Sequence, residues 1–90
     1  MTDPTAQSRP NLGPNEVSVL RVLLDANGKV ISRQEIARRA NLRDLGDRRT
    51  DSLIVAVRRA LGAEAIRTVR GRGWMLELGF RDSARRLIDS

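Results

Sequence analysis

The sequence predicts a mainly α domain closed by a small β-hairpin: a three-helix core, two short strands after it, and an amphipathic tail able to add a C-terminal helix. Three observations carry this. Apolar residues recur at helical spacing in three segments before Gly62, each with its own start or stop signals. From Ala65 the period changes to two, on either side of Arg70-Gly71-Arg72-Gly73. The chain has 90 residues, 40% of them hydrophobic, with one Trp and one Phe, which allows one small aliphatic core and no second one.

Residues 1–11 contain two prolines, polar side chains and no apolar period, and they read as a flexible leader. The first helix begins at Gly13-Pro14: Gly13 is the cap, Pro14 sits where its missing N–H costs nothing, and Glu16 lies near the positive end of the dipole. Leu12 and Val17 occupy staple positions. Val17, Leu20, Leu23 and Leu24 share a face, and Asn27-Gly28 is the stop, with Gly28 left-handed. Ile31-Ser32-Arg33-Gln34-Glu35-Ile36 is a capping box, in which Ser32 and Glu35 satisfy each other's backbone donors and Ile31 is stapled to Ile36. The helix it opens is short, because the polar stretch Asn41 to Gly46 follows within about two turns.

The third helix is expected from Asp47, its cap, to Leu61, with Gly62 as the stop and Thr50, Leu53, Ile54, Val57 and Leu61 as its apolar face. Ile66–Val69 and Trp74–Leu78 alternate as strands around a glycine-rich turn. In the tail, Phe80, Ala84, Leu87 and Ile88 fall on one side, leaving Arg81, Arg85 and Arg86 to solvent. The expected division is leader 1–11, domain 12–78 and tail 79–90.

Composition narrows function. Seventeen Lys and Arg against eleven Asp and Glu give a net charge of +6, which suits a polyanionic partner, nucleic acid or an anionic surface. The chain lacks Cys and His, so thiol nucleophiles, thiolate zinc sites and the readiest proton shuttle near neutral pH are absent. This argues against an enzyme, and no cofactor, metal or small-molecule substrate is expected. Asp44, Asp47 and Asp51 are too scattered for a metal site, and no Lys-Ser or Lys-Thr pair follows Gly71-Arg72-Gly73 to make a nucleotide loop. No apolar run approaches the roughly 20 residues of a membrane span, and the N-terminus has no secretory signal. The expected location is the cytoplasm, at the nucleoid. Two aromatic residues are a thin platform for stacking single-stranded bases.

Three helices and a hairpin, with a short helix leading through a turn into a longer one, form the helix-turn-helix plan with a wing. The third helix would enter the major groove. The hairpin, with Arg67, Arg70 and Arg72 and no acid between them, would lie on the backbone or in the adjacent minor groove. Trp74 reads as a core plug, and Arg38 and Arg39 either touch a phosphate or form a solvated face.

The strings Thr68-Val69-Arg70-Gly71-Arg72-Gly73-Trp74, Gly28-Lys29-Val30-Ile31-Ser32-Arg33-Gln34-Glu35 and Arg58-Arg59-Ala60-Leu61-Gly62 together resemble the winged-helix effector domain of OmpR/PhoB-type response regulators. The resemblance runs from Leu12 to about Leu78. It implies transcriptional regulation through double-stranded DNA, with Arg48, Arg49, Ser52, Val55, Arg58 and Arg59 on the recognition helix toward DNA, and Thr68, Arg70 and Arg72 contributing from the wing. The resemblance also allows a homodimer on DNA or another regulatory protein as partner, while a monomer in solution fits the residues equally well.

Such regulators carry a receiver domain upstream, for which eleven leader residues are too few. The sequence therefore reads as a standalone domain, a piece of a longer protein or a subunit under a partner's control. Val55-Ala56 stands where the family often has polar or basic residues. It can touch thymine methyl groups but makes no bidentate hydrogen bonds, so phosphate contacts should dominate and sequence preference should be modest. The alternative reading is a protein-interaction module on the same fold that has lost DNA binding, with Val55-Ala56 and the tail as docking surface.

Overall fold

The computed structural model describes residues 12–42 and 47–89. The leader expected over residues 1–11, and most of the loop before the third helix, lie outside the described residues. Helix α1 (Pro14–Asp25) starts on an extended Gly13 with Pro14 at its first position. Its end follows the expected stop with one addition: Asn27 (φ 55°) and Gly28 (φ 86°) are both left-handed. The two turn the chain back so that Ile31 can pair with the sheet. The helix buries Val19 and Val22 as well as Leu20 and Leu23, while Val17 and Leu24 are half-buried. This wider face has a packing cause, since α1 contacts all the other helices and the second strand.

Helix α2 (Arg33–Arg39) is capped by Ser32, whose hydroxyl accepts from the Glu35 backbone N–H at 3.1 Å. Only this half of the capping box forms. The Glu35 carboxylate turns outward to Arg38 at 2.6 Å and Arg39 at 3.0 Å, since two cations one turn away outbid a single backbone donor. The helix closes by a Schellman turn, with Asn41 left-handed (φ 62°) and bonds from Leu42 N to Ala37 O (2.7 Å) and Asn41 N to Arg38 O (3.3 Å). That turn drives Leu42, inside a stretch whose sequence reads as polar, into the core at 1% exposure.

Helix α3 (Asp47–Leu61) takes Asp47 as its first residue, and the Asp47 side chain, expected as the cap, lies outside the described residues. Thr50, Leu53, Ile54 and Val57 are buried as the apolar period requires, and Leu61 packs half-buried against them. Gly62 ends the helix at φ 130°, its N–H donating to Arg58 O. Strand β1 (Ile66–Val69) then pairs antiparallel with β2 (Gly73–Leu76), Ile66 opposite Leu76 and Val69 opposite Gly73.

The second strand ends at Leu76, two residues before the alternation does. Glu77 N donates to Ala65 O, and Leu78–Phe80 form a 3-10 turn that leaves Leu78 58% exposed. The chain must turn here to bring Phe80 and helix α4 (Arg81–Asp89) back onto α1, which overrides the local period. In α4, Ala84 is fully buried, and Leu87 and Ile88 pack against the core as their spacing predicts.

The hairpin is fastened to the helices by a third, one-residue partner. Ile31 N donates to Trp74 O at 2.7 Å, and Trp74 N to Ile31 O at 2.9 Å. This close approach needs glycine next door: a Cβ on Gly73 would collide with the Ile31 carbonyl oxygen, and its φ is 143°. Trp74 closes the core over this junction, 9% exposed. One aliphatic cluster, centred on Leu20, Leu23, Ile36, Ile54, Val57 and Leu76, joins every element, and cutting one of those leucines to alanine typically costs about 2–5 kcal/mol.

Candidate nucleic-acid interface

The site is built on the solvent side of α3. At about 100° per residue, positions 48, 52, 55 and 59 fall in one stripe opposite the buried Thr50, Leu53 and Val57. Arg48, Ser52, Val55 and Arg59 are all exposed, Val55 at 48%. The stripe carries two guanidinium groups, a hydroxyl and a branched apolar side chain, and no acid. Arg49, also exposed, lies on the flank away from the hairpin-facing residues, so it does not share the stripe. Ala56 is half-buried, which leaves Val55 as the exposed member of the expected Val55-Ala56 patch.

The opposite flank of α3 is tied down. Arg58 is half-buried and donates from Nη2 to Ile66 O (3.1 Å) and Thr68 Oγ1 (2.9 Å), linking the helix to β1. Arg58 and Thr68, both expected to reach DNA, are thus partners of each other. On the same flank, the Asp51 carboxylate accepts from Arg33 Nε (2.8 Å) and Nη2 (3.1 Å) in a two-point bridge. Arg33 also lies over the Trp74 ring, 5.6 Å from its centroid, a stacking geometry a guanidinium favours. The residue that neutralises the one acid beside the exposed stripe is therefore itself held by the core plug.

Sequence reasoning left Arg33 and Asp51 out of the site. The available signal was local: Arg33 is the first residue after a helix cap, and Asp51 faces the wing flank of α3. The bridge itself spans 18 residues and depends on how α2 and α3 cross.

The hairpin arginines divide into two kinds. Arg67 on β1 pairs with Glu77 at 2.8 Å, so it is not part of an acid-free basic ribbon. Arg70 and Arg72 stand exposed in the turn on either side of Gly71 (φ 75°), which Arg72 N closes by donating to Val69 O. Between this turn and the start of α2 runs a cleft of about 390 Å³, lined by Ser32 to Gln34 and by Thr68 to Trp74. It is open to solvent and basic along both rims. On α2, Arg38 and Arg39 are occupied by Glu35, whose carboxyl is held below its ordinary range chiefly by the hydrogen bond from Arg38. The Arg38 guanidinium is raised in turn by the same bond.

In the tail, Arg85 and Arg86 are exposed as expected, but Arg81 is not fully given to solvent: its Nε is buried, with no partner among the described residues. No cluster of metal-ligating side chains occurs among the described residues, and no described helix is long and apolar enough to cross a membrane.

Comparison with known proteins places these features. No curated protein and no solved structure gives a significant match. The family described as transcriptional regulatory protein, C terminal, matches residues 7–76 and so takes in the three helices and both strands, stopping short of α4. Its members are non-catalytic DNA-binding domains. With helix-turn-helix order, a two-stranded wing and this match over most of its length, the chain belongs to the OmpR/PhoB-type family of C-terminal DNA-binding domains of transcriptional regulators.

Proposed function

We propose that the chain binds double-stranded DNA by laying α3 in the major groove, while the Arg70-Gly71-Arg72 turn rests on the backbone or in the adjacent minor groove. The observation that carries this reading is the stripe Arg48, Ser52, Val55 and Arg59: four exposed residues, acid-free, on the face of α3 opposite the core. A helix presenting such a face fits the major groove, and a basic turn beside it fits the phosphates that flank the groove. Phosphate contacts supply most of the affinity in this reading, because the stripe has no amide side chain to read adenine. Acting on chromosomal DNA, the chain would work in the cytoplasm, at the nucleoid.

Fluorescence anisotropy with a mixed-sequence duplex and a matched single strand, titrated from about 50 to 200 mM salt, tests it. Duplex binding that weakens steeply with salt, with the single strand bound less well, is the expected result. Failure to bind duplex at the lowest salt would overturn the reading and favour a protein-interaction module with exposed Val55 at its centre.

A further inference from the structure

We infer that Val55 is a specificity-determining residue that reads the C5-methyl group of a thymine in the major groove, a preference that rests on the proposed docking of α3. Val55 is 48% exposed and lies in the middle of the acid-free stripe, three residues after Ser52 and four before Arg59. Its half-buried neighbour Ala56 has turned out of the way, so a single branched side chain faces the groove there.

Two charged groups beside Val55 are engaged within the protein. One turn before it, Asp51 would otherwise offer a carboxylate to the exocyclic amine of cytosine. Both its oxygens are instead engaged by Arg33, at 2.8 and 3.1 Å, and Arg33 is stacked on Trp74. Toward the wing, Arg58 is turned back to Ile66 O and Thr68. A base pair set against Val55 thus meets an apolar surface. Guanine, adenine and cytosine present hydrogen-bonding groups and no methyl in the major groove, and valine would strip those groups of water without replacing a hydrogen bond. Thymine presents a methyl group. Arg59, about 6 Å further along the helix axis, and Arg48, about 10 Å back, lie where guanidinium groups can take guanine edges or phosphates on either side.

Burying one methyl group against another apolar surface corresponds to about a fourfold change in affinity, from ~0.8 kcal/mol per buried carbon. The test starts from duplexes selected by the wild-type chain out of a randomised pool. The best of them is resynthesised with each thymine in turn replaced by deoxyuridine, which removes the methyl and nothing else, and affinities are measured at one fixed salt. One thymine should stand out, its replacement weakening wild-type binding about fourfold. Val55→Ser should lose that sensitivity while keeping the salt slope, and Val55→Thr, which keeps one methyl, should retain part of it. Thermal melting of both variants checks that they fold.

The inference is overturned if no single thymine matters, if Val55→Ser keeps the full sensitivity, or if selection yields no preferred base, even where steep salt-dependent duplex binding upholds the docking. Absence of duplex binding by the wild type would overturn both, and the salt titration separates that outcome from the others.

Discussion

Two arginine-rich segments follow the third helix, and they use their arginines in opposite ways. The hairpin turn holds Arg70 and Arg72 away from the body of the protein, on a support fixed at its base by the Ile31–Trp74 pairing. Helix α4 has three arginines in six residues, yet its organising residue is the fully buried Ala84, and the Nε of Arg81 is itself buried. Arginine spacing is similar in the two segments, three in six residues over 67–72 and over 81–86, although Asp82 and Asp89 lower the net charge of α4. What separates them is backbone form: a three-residue turn has no buried face, whereas a nine-residue amphipathic helix can lay one against α1. Arginine content therefore marks a basic surface without saying which part of it meets a ligand.

The comparison can be broken at its base first. Gly73→Ala should have the largest effect, since the added Cβ would collide with the Ile31 carbonyl in a backbone region alanine avoids. A loss of about 4 kcal/mol in urea unfolding is expected. Gly71→Ala, at the tip, meets open space, and only the positive φ penalises it, so about 1 kcal/mol should be lost. Equal losses at the two glycines would refute the claim that the wing is held at its base and free at its tip.

On the other segment, Ala84→Asp would bury a carboxylate against α1 and should cost about 3 kcal/mol in the same assay. A near-neutral result would mean α4 is a loosely attached tail. Arg58→Ala should be intermediate, removing two hydrogen bonds between α3 and β1 for about 1–2 kcal/mol of stability.

Charge substitutions sharpen the contrast without unfolding the protein. Arg70→Ala and Arg72→Ala should leave stability within about 0.5 kcal/mol and each lower the salt dependence of duplex binding by about one counterion. Arg85→Ala and Arg86→Ala should leave that slope unchanged. If the α4 variants shift the slope as much as the wing variants, the basic tail belongs to the DNA-binding surface and the division fails. Arg67→Ala should likewise leave the slope nearly unchanged, because Arg67 already pairs with Glu77, and should cost no more than about 0–1 kcal/mol of stability, as exposed pairs do.

Much of this architecture was legible in the residues. The start of α1 at Pro14, the Ser32 cap, the buried face of α3 and the amphipathic spacing of α4 all follow from local rules that hold in any context. Misreadings occurred where a distant element competed with a local one. The Glu35 side chain left the capping box for two arginines, and the second strand stopped at Leu76 because the chain had to return to α1. Leu42 entered the core through a left-handed Asn41, in a stretch that composition alone marks as surface.

The sequence by itself determined the kinds and order of the elements, the net positive charge and the glycine-flanked arginines of the turn, because periodicity, caps and turn residues act over a few positions. Tertiary structure decided which charged groups remain free. Arg33 silences Asp51 from 18 residues away, and Arg58 is drawn to Thr68 across 10. Such pairings depend on how α2, α3 and the hairpin cross, a geometry set by packing the shared aliphatic core and encoded in no short stretch of the chain. By removing those competitors, the same packing leaves Arg48, Ser52, Val55 and Arg59 as the open face of the third helix.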